Sequence, residues 1–260
     1  MQLRLFQMSL NFKVRTVQVI LHLLSFYGFY KIIFLFLSFY WLLLSLVVYW
    51  VTGTLGINVG MHRLLAHKSF TTGKYRRNFL TWISVTTAVG SPLAWCGLHR
   101  WHHANTDTEK DPHSPLQIGS FRAWFGLWNK VKIPPSYVVD FMQDPTQRFV
   151  HIHYFKIIFI YGFTLLLLGP NFLIFGFAIP ASLCLHATSA ISVIAHKWGY
   201  RNHETKDHSK NSFLAAVITL GEGWHNNHHN NTNAWNNKEN WWELDLPAFL
   251  IRHFFKKKTS

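Results

Sequence analysis

Uncharged apolar runs alternate along this chain with polar stretches rich in histidine, and that alternation sets its organisation. Thr16–Tyr30 and Ile32–Met61 contain no Asp, Glu, Lys or Arg, and neither does Ile157–His196, which Gly169-Pro170-Asn171 interrupts. A membrane-spanning helix needs about 20 apolar residues at roughly 1.5 Å each. The pattern predicts two helical hairpins, with spans near 16–30, 32–60, 155–169 and 171–195. Lys31 is expected in the first turn, where its long stem lets the ammonium reach the headgroups, and Gly169-Pro170 in the second. Four spans leave both termini on one side. The two turns hold almost no positive charge, so segments 61–154 and 196–260 are expected to form a cytoplasmic helical cap, with both termini cytoplasmic. The fold expected is one all-α, multi-pass integral membrane domain over residues 1–260, with no period-2 strands.

Phe79–Leu98 is a further uncharged stretch, but Gly90-Ser91-Pro92 and several Ser and Thr break it. Hydropathy alone leaves it open between a span and an interfacial segment.

Composition narrows the function. Of 260 residues, 49% are hydrophobic and only 14% charged, which excludes disorder, collagen and coiled coil. The 25 Lys+Arg against 11 Asp+Glu give a net charge of +14. In so apolar a chain this suits an anionic membrane surface, and no nucleic-acid-binding motif accompanies it. The Lys256-Lys257-Lys258 tail reads the same way. Two cysteines make no disulfide scaffold. Histidine, at 17, is the outlier and points to metal.

The histidines cluster. His62 and His67 form H-x4-H, while His99, His102 and His103, and again His225, His228 and His229, form H-x2-H-H. Residues three and four apart share a helix face, so each H-x2-H-H group aims two or three imidazoles at one point. The i, i+5 pair should diverge and serve two separate ions. Imidazole suits iron, copper, zinc or nickel, and three clusters exceed what one tetrahedral zinc needs, so two metals are expected. Sharing a centre also settles Phe79–Leu98. As a span it would carry His99 to the side opposite His67, so it must be re-entrant or interfacial. His196 closes the last apolar block at the same face, open between a ligand and a polar helix end.

Other classes fit less well. A soluble di-iron carboxylate oxidase needs two Glu-x-x-His motifs, and only Glu222-Gly-Trp-His225 is present. H-E-x-x-H, the zinc protease signature, is absent. A histidine-rich membrane metal carrier would place ligands at mid-span rather than at segment ends.

With these residues in view, the chain resembles the membrane fatty-acyl desaturases, in particular the delta-9 acyl-CoA (stearoyl-CoA-like) branch. The likeness rests on residues 56–67 (Gly-Ile-Asn-Val-Gly-Met-His-Arg-Leu-Leu-Ala-His), 99–103 (His-Arg-Trp-His-His), 111–114 (Asp-Pro-His-Ser), 221–229 (Gly-Glu-Gly-Trp-His-Asn-Asn-His-His) and 241–245 (Trp-Trp-Glu-Leu-Asp). It implies four spans under a cytosolic cap holding a histidine-ligated di-iron centre. The implied ligands are His62, His67, His99, His102, His103, His196, His225, His228 and His229. The implied reaction is O2-dependent insertion of a cis double bond, at delta-9, into a long-chain saturated acyl thioester. A lipid or alkane hydroxylase built on the same centre is the alternative.

Two places depart from that family. Ser192 stands where an Asn often holds a metal-bound water, and Gly97 and Leu98 stand where acyl-CoA enzymes carry Arg-Asp for the thioester headgroup. The acyl carrier is therefore open between CoA, a carrier protein and a lipid. Removing hydrogen from unactivated methylenes needs an oxidant made from O2 at iron, beyond any side-chain acid or base. With no G-x-G-x-x-G, electrons are expected from a separate ferredoxin or b-type cytochrome docking on the basic cap. Carboxylate candidates for orienting the imidazoles are Asp107, Glu109, Asp111 and Glu222, the first two read as solvated loop charges. Trp95, Trp198 and Trp224 are candidate walls for the acyl chain. Gly56 and Gly60, at i, i+4, predict close helix packing. The expected location is a bacterial inner membrane, with the endoplasmic reticulum second.

Overall fold

Helices account for every regular element among the described residues, and isolated bridges of Asn211 to Tyr200 and Trp224 are the nearest approach to a strand. The computed structural model describes residues 2–127 and 132–257, and side chains from residue 12 onward; Lys258 of the basic tail lies outside them. The long helices are α1 (Gln2–Phe34) and α2 (Tyr40–Ala66). After them come α3 (Lys74–Val85) and α4 (Pro92–Asn105), then the short α5 (Pro115–Ile118), α6 (Ser120–Trp124) and α7 (Val139–Gln143). α8 (Pro145–Ile152), α9 (Tyr154–Leu168) and α10 (Pro170–Ile194) form the second apolar group. The short α11 (Phe213–Thr219), α12 (His225–Asn230) and α13 (Leu246–Phe255) complete the chain.

Among the described residues three helices are long and apolar enough to cross a membrane: Phe12–Phe34, Tyr40–Ala66 and Pro170–Ile194. Two expectations are corrected here. The first hairpin turns after Phe34, so Lys31 lies inside α1, and its ammonium donates to the Asn171 side chain beside the second turn. The expected third span, α9, has 15 residues, or about 22 Å at the α-helical rise, short of a roughly 30 Å bilayer core. It reaches span length only together with α8, across a 70° bend.

The stretch 79–98 is broken, as its composition requires. α3 ends at Val85, and α4 starts afresh at Pro92 with Ser91 as N-cap accepting from the Ala94 N–H. A proline at the first helical position lacks only an N–H that would have no partner there. α3 runs back along α2, with Leu80 beside Gly60 and Ser84 beside Gly56, and α4 returns to bring Arg100 to the end of α2.

α2 changes its winding partway. From Gly53 to Ala66 its hydrogen bonds run i to i+5, ending with the His67 N–H on the His62 carbonyl. Small residues let α3 lie against this wider helix. A Cβ on Gly56 would fall 2.8 Å from Ser84 Cα, and one on Gly60 3.2 Å from the Leu80 carbonyl. Val59, Met61, Leu80 and Cys96 fill the junction of α2, α3 and α4 with no exposed surface. Each such large side chain contributes about 1.5–3 kcal/mol by leaving water. Arg100 then closes the end of α2, donating to the Leu65 and Ala66 carbonyls while holding Asp140 with both terminal nitrogens. Those carbonyls would otherwise lack partners.

The glycine contact is testable. Gly56→Ala should destabilise the protein by about 1–3 kcal/mol in detergent thermal unfolding, because its Cβ strikes backbone that cannot retreat. Gly28→Ala should cost less, because its Cβ meets the Ile174 Cγ2 of a movable side chain.

Candidate metal centre

Two groups of imidazoles face one another at the cap end of α2. His62, His67, His99, His103 and His228 form one, and His102, His196, His225 and His229 the other, with the ligand atoms of each group within 4.8 Å of one another. The H-x2-H-H boxes are shared out. On α4 the i, i+4 pair His99 and His103 joins the first group while His102 turns to the second. On α12 His225 and His229 join the second group while His228 turns to the first. His62 and His67 were expected to part; both serve the first group. The physical reason is the i to i+5 winding of α2, which brings the fifth residue back over the first.

Packing around α12 aims its histidines. The Asn211 side-chain carbonyl accepts from the Asn226 and Asn227 N–H groups at 3.0 and 3.2 Å, satisfying donors of the first turn. Asn227 in turn donates to Glu243, which is fully buried in the 241–245 motif. Gly223 has no space for a side chain: a Cβ there would sit 2.1 Å from the Ala216 nitrogen.

Carboxylates fix the imidazoles from behind. Nδ1 of His62 lies 2.7 Å from Glu222, that of His102 2.8 Å from Asp111, that of His196 3.0 Å from Asp107 and that of His229 2.8 Å from Asp207. Asp107 was read as a solvated charge and is not one. At φ +60, which Asp tolerates, its carboxylate turns inward to accept from His196, Ser114 and the His208 N–H. Glu109 is exposed, as expected. Asp207 escaped the sequence reading because it sits in a polar loop with no marked spacing. Its only local signal is the Asp-x-Ser turn, in which it accepts the Ser209 N–H.

Burial would raise these acids, but their partners more than reverse it. Arg63 and His62 hold Glu222 at about 2, and Arg63 is held in turn by Asp245. Asp107, Asp111 and Asp207 lie below the usual carboxylate range because their histidines donate to them. Burial, then neighbouring imidazoles, pushes His67, His99, His103, His225 and His228 well below 6.5, so these rings are neutral.

The donor set fits a bound cation. Each carboxylate takes an Nδ1–H, leaving Nε2 as a lone pair turned inward. Nε2 of His62 lies 3.1 Å from that of His228, His67 2.7 Å from His99, and His196 3.1 Å from His225. The buried Nε2 of His229 has no hydrogen-bond partner. Converging lone pairs repel unless a metal lies between them, and neutral imidazoles with carboxylates behind are well suited to transition metals.

A cavity of about 330 Å³ runs from this centre along the apolar helices, with His62, His99, His102 and His225 in its wall. Trp95 lines it and stacks on His99 at 4.9 Å. Ser192 lines it too. The other two tryptophans do not. Trp224 is buried with its N–H on the Leu244 carbonyl, and Trp198 is 60% exposed. Proximity to a ligand in sequence does not orient a ring toward the same space.

The fatty acid desaturase family profile matches residues 37–256. The chain is 35% identical over 214 residues to an sn-1 stearoyl-lipid 9-desaturase from Anabaena variabilis, covering 80% of this chain and 78% of that protein. It is 32% identical to delta-9 acyl-lipid desaturase 2 of Arabidopsis thaliana, over 80% of this chain and 69% of the relative. An acyl-CoA C20 delta-5 desaturase from Anemone leveillei is 30% identical, over 82% and 70% of the two chains.

Two outcomes follow from the electrostatics. Asp207→Asn should weaken metal retention about 10–100-fold, read as metal per chain by mass spectrometry after dialysis against a graded chelator. His229 accepts a proton near 6.5 when unfolded but only at about 4 when folded. Between those values the unfolded chain binds more protons, so stability falls as pH falls. The unfolding temperature of chelator-treated protein should drop from about pH 6.5 towards 4, and His229→Ala should flatten part of that slope.

Proposed function

This chain belongs to the fatty acid desaturase family, an oxidoreductase family of lipid metabolism, and we propose that it inserts a cis double bond at the delta-9 position of a long saturated acyl chain carried on a membrane lipid. The observation that carries this reading is the cavity: an apolar space among the long helices with four of the converging imidazoles in its wall.

Two iron ions, one in each imidazole group, would supply the O2-derived oxidant that takes hydrogen from unactivated methylenes. The nine ligands proposed are His62, His67, His99, His103 and His228 for one ion and His102, His196, His225 and His229 for the other. The chain's own residues do the positioning. Glu222, Asp111, Asp107 and Asp207 orient His62, His102, His196 and His229 through Nδ1, and Trp95 fixes the wall beside the first ion. Ser192, on the cavity wall, is proposed to hold a metal-bound water. Apolar walls align the acyl chain and exclude bulk water from the reacting carbons.

A lipid-linked substrate is favoured over acyl-CoA at two positions. Gly97 packs so tightly that a Cβ would meet Val138 Cγ1 at 2.5 Å, and Leu98 presents an apolar side chain to the cavity. Neither offers a charge for a thioester's headgroup. The names of the Anabaena and Arabidopsis relatives agree with that choice. In the same reading α8 and α9 form the fourth crossing, the cap and both termini face the cytoplasm of a bacterial cell, and electrons arrive from a ferredoxin or b-type cytochrome on the basic cap.

Gas chromatography–mass spectrometry of fatty acids from a desaturase-deficient host tests the proposal. Cells expressing the wild type should gain a cis-delta-9 monoene, absent with His228→Ala at matched expression. A hydroxylated acid instead would assign the centre to hydroxylation, and a monoene from both would remove His228 from the centre.

A further inference from the structure

The cavity that begins at the imidazoles also reaches α1, where Val14, Arg15 and Gln18 line it opposite Ala123 and Gly126. Arg15, Gln18 and His22 follow at i, i+3 and i+7, a polar stripe on an otherwise apolar stretch. Around Arg15 the helix exposes apolar side chains: Phe12, one turn before, is 72% exposed, and Val19, one turn after, 57%. Among the described residues Arg15 makes no hydrogen bond or ion pair. A cation lining a cavity from such a helix is placed to meet an anion.

The wall opposite is held in place. His22 donates from Nδ1 to the Gln18 carbonyl at 2.7 Å, which leaves its Nε2 to accept from His186 Nε2 at 3.1 Å. Nδ1 of His186 accepts the Trp124 indole N–H at 3.0 Å. One consistent set of tautomers thus ties α1, α10 and α6 together. Lys197 adds a hydrogen bond to Ser120 at the start of α6. Phe121 and Phe125, exposed on the outer side of this segment, suit the lipid interface. The cavity wall between α1 and α6 is therefore held by fixed contacts.

Resting on the reading of a lipid-linked substrate, we propose that Arg15 and Gln18 form a headgroup subsite for a glycerophospholipid. Arg15 donates to the phosphodiester and the Gln18 amide to an ester carbonyl, while one acyl chain enters the cavity sideways from the leaflet. A CoA nucleotide does not suit this end of the cavity, because its several charges would lie among the exposed apolar side chains that flank Arg15.

Native mass spectrometry of the purified full chain with distearoyl phosphatidylglycerol or stearoyl-CoA tests this, with unfolding temperature as the folding control. Arg15→Ala should weaken phosphatidylglycerol retention about tenfold, Arg15→Lys should restore part of it, Gln18→Leu should weaken it less, and stearoyl-CoA retention should not change. Unaltered phosphatidylglycerol retention in Arg15→Ala, equal loss of stearoyl-CoA, or displacement of the lipid by inorganic phosphate alone would each overturn the subsite. Fatty-acid analysis of the same cells separates this failure from that of the desaturase reading. Equal monoene from wild type and Arg15→Ala would overturn the subsite alone. Arg15-dependent lipid retention with no monoene from the wild type would keep the subsite and overturn the desaturase.

Discussion

Nine imidazoles have to converge in two groups with their ring nitrogens turned inward, and the residues packed around them serve that constraint. Burial disfavours protonation of His67, His99, His103, His225, His228 and His229. It leaves open which nitrogen carries the hydrogen, and for His62, His102, His196 and His229 four carboxylates decide that from behind. They come from separate stretches of chain: Asp107 and Asp111 after α4, Asp207 in the loop before α11, and Glu222 before α12. Each is itself held, Glu222 by Arg63 and Asp107 by Ser114 and the His208 N–H. A carboxylate free to turn would neither fix a tautomer nor repay its own burial.

Glycine serves the same end on α2. This helix is long and apolar enough to cross a membrane and still brings His62 and His67 to one point. Regular α-helical winding would separate residues five apart, and the wider winding from Gly53 reunites them. Wide turns are uncommon in helices and concentrate at functional sites. Here the wider turn is backed by α3, which can approach only because positions 56 and 60 have no side chain. Span, packing surface and ligand platform are thus one segment.

How much of this was legible in the sequence depended on whether the signal was local. The long apolar runs, the histidine boxes, the break before Pro92 and the Gly56/Gly60 packing face are each carried by residues close together in the chain. The joint service of His62 and His67 was not legible, because spacing was read on an α-helical period that α2 abandons. Asp107 and Asp207 were hidden for a different reason. A loop carboxylate looks the same whether it meets water or a histidine 89 positions away, as Asp107 meets His196. Trp198 and Trp224 misled in the opposite sense, their closeness to ligands in sequence leaving their ring directions undetermined. The position of Lys31 inside α1 was not legible because its partner Asn171 lies in a hairpin far away in sequence.

Those long-range ties also explain why the apolar half of the molecule carries any polar residues. A polar side chain at membrane depth is costly without a partner. Ser25 to Ser182, Ser45 to the Phe175 carbonyl and His22 to His186 each join two of the long helices by such a partnership. They join α1, α2 and α10, whose other residues wall the cavity, a space that close packing alone would tend to fill. A bundle packed only by apolar contacts could slide to close the cavity. Directional bonds at several depths oppose that sliding, so the cavity persists beside imidazole clusters whose own geometry is fixed by the carboxylates behind them.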